Sequence, residues 1–142
     1  MRTLTRSIAF ATLLAFGAAC SDDSNAPNSE HVGTYTLQSV LGDPVPSLLD
    51  SGPDYTFEVI SETLTLNSNG TWAQAGLYRV NDAGSVVDIP LSCRGTYQRN
   101  GSNLTLSGVV RANCDAGPFA ATFTGGNTIT VEPGDFDAIY RK

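Results

Sequence analysis

Alternation of apolar and polar residues, interrupted at short intervals by Gly, Asn and Pro, most constrains the fold of this chain. Leu-Thr-Leu at 64–66 and 104–106, and Ile-Thr-Val at 129–131, place apolar side chains at every second position. Because successive side chains of a strand point to opposite faces, this period predicts half-buried β-strands. Asn-Ser-Asn-Gly at 67–70 and Asn-Gly-Ser-Asn at 100–103 supply the residues that tight hairpin turns need. No stretch has the apolar stripe of a helix.

The order of strands and turns predicts an all-β fold. About eight strands joined by next-neighbour turns form an antiparallel up-and-down meander, and closing it into a small barrel removes the exposed edges. In one predicted strand the apolar residues move from odd to even positions: Phe57 and Val59 are odd, whereas Leu64 and Leu66 are even. A strand changes its inward face only through a bulge or bend, which we predict over 59–62.

The N-terminal segment has the features of an export signal. Two arginines precede the uncharged run 8–19, which is shorter than the roughly 20 residues of a membrane span. The run ends at Cys20 and resembles a bacterial lipoprotein signal, which implies that residues 1–19 are removed and that Cys20 carries the lipid. Such acyl chains hold a protein durably on a membrane. Gly17 stands where these signals usually carry a branched apolar residue, so an ordinary secretory signal is the alternative.

The expected organisation has three parts, namely a signal peptide (1–19), a lipid-anchored flexible tether (20–31) and a barrel domain (32–142). The tether is polar and has no apolar period. Its last residue, His31, is interpreted as a solvated linker residue. The expected location is the cell envelope, and Ser21 resembles the residue that sorts lipoproteins to the outer membrane, facing the periplasm or the cell surface.

The charge of the chain excludes some partners. Without residues 1–19, which hold two arginines and no acid, 14 acidic and six basic side chains give a formal charge of −8. Nucleic acids and anionic bilayers both favour clusters of Lys and Arg, so neither is an expected partner. The acids are scattered, which is typical of a solubilising surface. The expected partners are the membrane, reached through the lipid anchor, and a small apolar ligand, and no protein partner is indicated.

Two cysteines remain besides Cys20. In an exported domain, Cys93 and Cys114 predict a disulfide, which would contribute roughly 3 kcal/mol to stability. Two buried or free thiols are the alternative. Two cysteines without a partner histidine provide too few ligands for a zinc site, so no metal site is predicted.

Several short motifs resemble lipocalin-like domains of bacterial lipoproteins. These motifs are Gly-Thr-Tyr at 33–35, the hairpin at 64–72 and Tyr-Arg-Lys at 140–142. The resemblance implies a barrel whose mouth is covered by a long first loop, here 41–54. It also implies that Arg141 packs across Tyr35, which stands where lipocalins have Trp.

Six aromatic residues fall on the inward face of the predicted barrel and are the candidate ligand-binding residues. They are Tyr35, Phe57, Trp72, Tyr78, Phe119 and Phe123. An eight-stranded barrel is either filled by side chains or holds one small ligand. We therefore expect a non-enzymatic envelope lipoprotein that binds a small hydrophobic ligand. The alternative is a structural or protein-interaction module with a filled barrel, and an apolar cavity of a few hundred cubic ångströms would distinguish the two.

No set of residues predicts a catalytic centre or a cofactor. The chain has a single histidine, so it offers few bases for a nucleophile. Glu58 and Glu62 are the nearest carboxylate pair for glycoside hydrolysis. We interpret them as ordinary surface acids at the predicted bulge, and expect the protein not to be an enzyme.

Overall fold

β-strands make up most of the regular structure in the described part of this chain. A computed structural model describes residues 29–108, 114, 118–124, 127–132 and 137–142. A 3₁₀ turn at Ser29–His31 precedes ten strands, which are β1 (Gly33–Val40), β2 (Asp43–Pro44), β3 (Ser47–Ser51), β4 (Tyr55–Leu66), β5 (Thr71–Asp82), β6 (Ser85–Asn100), β7 (Asn103–Gly108), β8 (Phe119–Phe123), β9 (Thr128–Val131) and β10 (Ala138–Arg141). No helix in the described ranges is long and apolar enough to cross a membrane. Cys20, the predicted signal and most of the predicted tether lie outside the described residues.

Eight of the strands close into an antiparallel barrel. The sheet runs in the order β2-β1-β10-β9-β8-β7-β6-β5-β4-β3, and β1 also pairs with β4, which closes the ring. The all-β, up-and-down barrel predicted from the sequence is therefore confirmed, and it is consistent with the lipocalin-like barrel that the motifs imply. The two additional strands, β2 and β3, come from the segment that the sequence predicted to be a long loop, and they pair with β1 and β4.

A bulge in β4 changes which residues face the barrel interior. The register between β4 and β5 shifts between Val59 and Ser61. Before the bulge Val59 is buried, and after it Glu62 and Leu64 are buried. The predicted change of face is confirmed, and it brings a carboxylate to the inner side of the strand.

One end of the barrel is filled by side chains. Among its largest fully buried residues are Trp72, Tyr35, Leu66, Leu104, Leu106 and Ile129. A buried side chain of this size contributes about 1.5–3 kcal/mol relative to an exposed one. The polar atoms of the aromatic residues are satisfied by backbone carbonyls, since Trp72 donates to Ser107 and Tyr97 donates to Asn67. Three of the predicted interior aromatics, Tyr35, Trp72 and Phe123, belong to this packed end.

His31 packs onto this end of the barrel. Its ring stacks on that of Phe123 with 4.1 Å between centroids, and its backbone carbonyl accepts a hydrogen bond from the Tyr35 hydroxyl. Burial lowers the pKa of the imidazole, and the nearby charge of Arg99 lowers it further. The interpretation of His31 as a solvated linker residue is therefore wrong.

Lys142, and not Arg141, is the cation against Tyr35. The Lys142 Nζ lies 6.0 Å from the centroid of the Tyr35 ring and donates to the Val32 carbonyl at 2.7 Å. Arg141 pairs in register with Thr36, and both are exposed. Tyr140 takes the inward position of β10, so its neighbour Arg141 must face outward. The expectation for Arg141 is wrong by one residue.

Candidate functional site

A cavity of about 840 Å³ occupies the barrel end opposite the packed one. Because neighbouring strands are antiparallel, the first residues of one strand lie beside the last residues of the next. The open end of the barrel is therefore formed by the beginnings of β4, β6, β8 and β10 and by the ends of β1, β5 and β9. Residues from all seven of these strands line the cavity, among them Leu37, Val59, Leu91, Ala120, Val131 and Ala138. Most of the described lining residues are apolar, as is typical of small-molecule sites.

The other three predicted interior aromatics line this cavity. They are Phe57, Tyr78 and Phe119. The rings of Phe57 and Tyr78 stack with 5.5 Å between centroids. Phe119 meets Trp72 edge to face at the same separation, so it connects the cavity wall to the packed end. Of the six aromatics expected together, three form the cavity wall and three form the core.

Glu62 is a polar group in the wall of this otherwise largely apolar cavity, and only 3% of its surface is exposed. The Tyr140 hydroxyl and the Gln74 amide donate to Oε1, and the Tyr78 hydroxyl donates to Oε2. Gly76 lies opposite Glu62 in the β4–β5 register, so Gln74 and Tyr78 are its diagonal neighbours. A Cβ on Gly76 would lie 3.1 Å from the Glu62 Cγ, so the glycine leaves room for the carboxylate. These donors compensate the cost of burying it.

The hydroxyls of Tyr78 and Tyr140 both donate to Glu62. Burial, and after it the charge of Glu62, raise the pKa of both Tyr78 and Tyr140 far above the usual range for a phenol. Their hydroxyls therefore keep their protons. Since the amide of Gln74 also donates, Glu62 is the acceptor in all three of these hydrogen bonds.

The sequence interpretation of Glu62 as a surface acid is wrong. Its position was readable from the sequence, because after the bulge Glu62 shares the even parity of Leu64 and Leu66. Glu58 lies before the bulge, opposite the exposed Arg79 in register, and is absent from the cavity lining. The two carboxylates therefore do not face each other across a common site. Tyr140 and Gln74 were also missed, because the role of Tyr140 depends on how the barrel closes and that of Gln74 depends on the register between β4 and β5.

Within the described part of the lining, the charged side chains are both acidic. They are the buried Glu62 and the exposed Glu132. None of the lining residues in the described part of the chain is Lys, Arg or His. Within that part, no three His, Cys, Asp or Glu side chains come together in a way that could hold a metal ion. The described cavity wall therefore carries negative charge without a counter-ion.

The predicted disulfide between Cys93 and Cys114 is present. Their Cα atoms are 5.8 Å apart, and both cysteines line the cavity. The bridge attaches residue 114 to β6 near its midpoint. The first part of β6 has no partner in β7, because that pairing begins at Gly95. The disulfide thus fixes Cys114 beside this part of the cavity wall.

The predicted lid segment lies along the cavity rim as strands β2 and β3. Leu49 lines the cavity and Val45 packs against the core, whereas Leu48 is half exposed. Two of these three apolar residues therefore point inward.

No protein-family model matches the chain, and a search of curated proteins finds no match either. The function is therefore inferred from the geometry of the cavity.

The hydrogen bonds to Glu62 can be tested by removing one donor. Tyr140→Phe keeps the ring but leaves the buried carboxylate one donor short, so we expect the free energy of unfolding to fall by about 2 kcal/mol. Tyr55→Phe is the matched control, because the Tyr55 hydroxyl is exposed and donates to Asp50 at the surface; it should change little. Urea titrations of both variants measure the difference. Equal losses in the two variants would contradict the role assigned to Tyr140.

Proposed function

We propose that this protein is a non-enzymatic, lipid-anchored, lipocalin-like protein of the cell envelope that binds a small, largely hydrophobic molecule inside its barrel. The anchor part of the proposal rests on the signal-like segment 1–19 and on Cys20. The binding part rests on the cavity.

The observation that carries the binding part is the open volume of about 840 Å³ between apolar walls. Pockets for small molecules have volumes of roughly 300–1,000 Å³. A barrel that served only as a structural or interaction module could fill this space with side chains, as the opposite end does. Moving an apolar molecule from water onto such walls is favourable by about 25 cal/mol per Å² of apolar surface buried.

Native mass spectrometry of protein purified from its own membranes tests the proposal. We expect a non-covalent ligand, visible as mass in the native spectrum that is lost on denaturation. The denatured spectrum is the baseline, because acyl chains on Cys20 are covalent and remain in it. Leu91→Asp should lower retention of the ligand at least about tenfold, because it places a charge in the apolar wall.

Ser92→Asp is the matched control for that variant. Ser92 is the next residue of β6, is exposed and does not line the cavity. It should retain the ligand like the unmodified protein. If the native and denatured masses agree, and no neutral apolar probe binds to the purified protein, the binding function is wrong.

A further inference from the structure

We infer that the ligand of this cavity is an amphiphilic amine, whose cationic nitrogen contacts the Glu62 carboxylate while its apolar part lies against the cavity wall. The inference rests on the proposed ligand-binding function and adds to it the chemical class of the ligand.

The described partners of Glu62 donate hydrogen bonds to it but do not neutralise its charge. Tyr78, Tyr140 and Gln74 are all neutral donors. A carboxylate can accept about four hydrogen bonds, and Glu62 accepts three from these side chains. Oε1 accepts two of these bonds and Oε2 accepts one, from Tyr78, so one acceptor site remains on Oε2. This remaining acceptor site on Oε2 is the one that an ammonium group of a ligand would use.

The surroundings of Glu62 favour a cation over an anion. The other charged residue in the described lining is Glu132, so a carboxylate or phosphate head would be repelled by both groups. An attraction between charges is much stronger beside apolar walls than in water. The ion pair between Arg79 and Asp88 is exposed at the surface, and neither residue lines the cavity. The three neutral donors offset only part of the cost of burying this negative charge, and a cationic ligand would offset the rest.

The remainder of the lining suits an apolar tail. Leu37, Val40 and Leu49 line the cavity from β1 and β3, and Ile89 and Leu91 line it from β6. These side chains offer no hydrogen-bonding groups. The cavity thus combines one buried anionic contact with an extended apolar surface, which is the complement of an amine that carries a hydrocarbon chain.

Three ligands of equal chain length test the inference, namely octylamine, octanol and octanoate. Each is titrated into the full chain at pH 7.5, where the amine is cationic and the acid anionic, with displacement of a neutral fluorescent apolar probe as the readout. We expect octylamine to bind roughly ten- to a hundredfold more tightly than octanol, as a hydrogen bond to a charged group allows. Octanoate should bind more weakly than octanol.

Glu62→Gln should remove the preference for octylamine while octanol still binds, because the amide keeps the size of the side chain and loses its charge. Glu58→Gln is the matched control, since Glu58 is on the same strand outside the cavity, and it should keep the preference. Octanoate binding as tightly as octylamine to the unmodified protein would overturn the inference without any variant. A preference retained in Glu62→Gln would overturn it too. If the probe binds but the amine has no advantage, only this inference fails; if the probe itself does not bind, the proposed function fails with it.

Discussion

Gly95→Ala is expected to lower the free energy of unfolding by at least about 3 kcal/mol. Gly95 stands where β5, β6 and β7 lie side by side, opposite Trp72 on one side and Gly108 on the other. A Cβ on Gly95 would lie 1.9 Å from the Ser107 carbonyl oxygen and 2.7 Å from the Trp72 Nε1. The first is backbone, and the second is fixed because the indole donates to that same oxygen. The added methyl group therefore has no flexible neighbour to displace.

Gly101→Ala is the matched control for this prediction. Gly101 has a φ of +63° but no atom within 4 Å of an added Cβ. We expect Gly101→Ala to lower the free energy of unfolding only by the strain of the left-handed conformation, which is about 1–2 kcal/mol. Both substitutions restrict the unfolded chain equally, so the difference between them measures the clash. Urea unfolding followed by far-UV circular dichroism gives both values. Equal transition midpoints would mean that the strands separate easily at Gly95 and that the clash is relieved.

Gly95 also illustrates which features of the fold the local sequence determines. A glycine inside a strand often marks a bulge or bend, yet β6 is continuous from Ser85 to Asn100. The glycine marks instead the point where pairing with β7 begins. Alternation and turns predict strands and the β4 bulge because both depend on neighbouring residues. Which strand lies against a glycine depends on the whole sheet, so this function of Gly95 was not predictable.

The Glu62 site shows the same limit more strongly. The parity of β4 after the bulge is enough to place Glu62 inside the barrel. Its partner Tyr140 is 78 positions away along the chain and reaches it only because β10, β1 and β4 are neighbours in the closed barrel. Likewise, the inward position of Tyr140 decides that Arg141 faces outward and that Lys142 contacts Tyr35. Local patterns therefore predict the faces of strands, but the contacts that form the site require the closure of the sheet.

Loss of the disulfide is expected to have the second large effect on stability. Cys93 and Cys114 are 21 positions apart, and opening a loop of that length should lower the free energy of unfolding by about 3 kcal/mol. Ligand affinity should fall as well, because the bridge holds residue 114 at the cavity wall beside β6. Replacing both cysteines by Ala tests this, with Cys20→Ala as the control that leaves the bridge intact and should leave the unfolding midpoint unchanged.

The double variant alone does not isolate the cross-link, because Cys93 is buried and its sulfur also packs in the core. Comparing the unmodified protein with and without reductant removes this difference, since only the sulfur–sulfur bond is changed. If the bond acts mainly by restricting the unfolded chain, reduction should account for most of the loss seen in the double variant. The remainder then measures the packing of the Cys93 sulfur. An unfolding midpoint that reductant does not change, with both thiols shown to be free by alkylation, would exclude a stabilising role for the bridge.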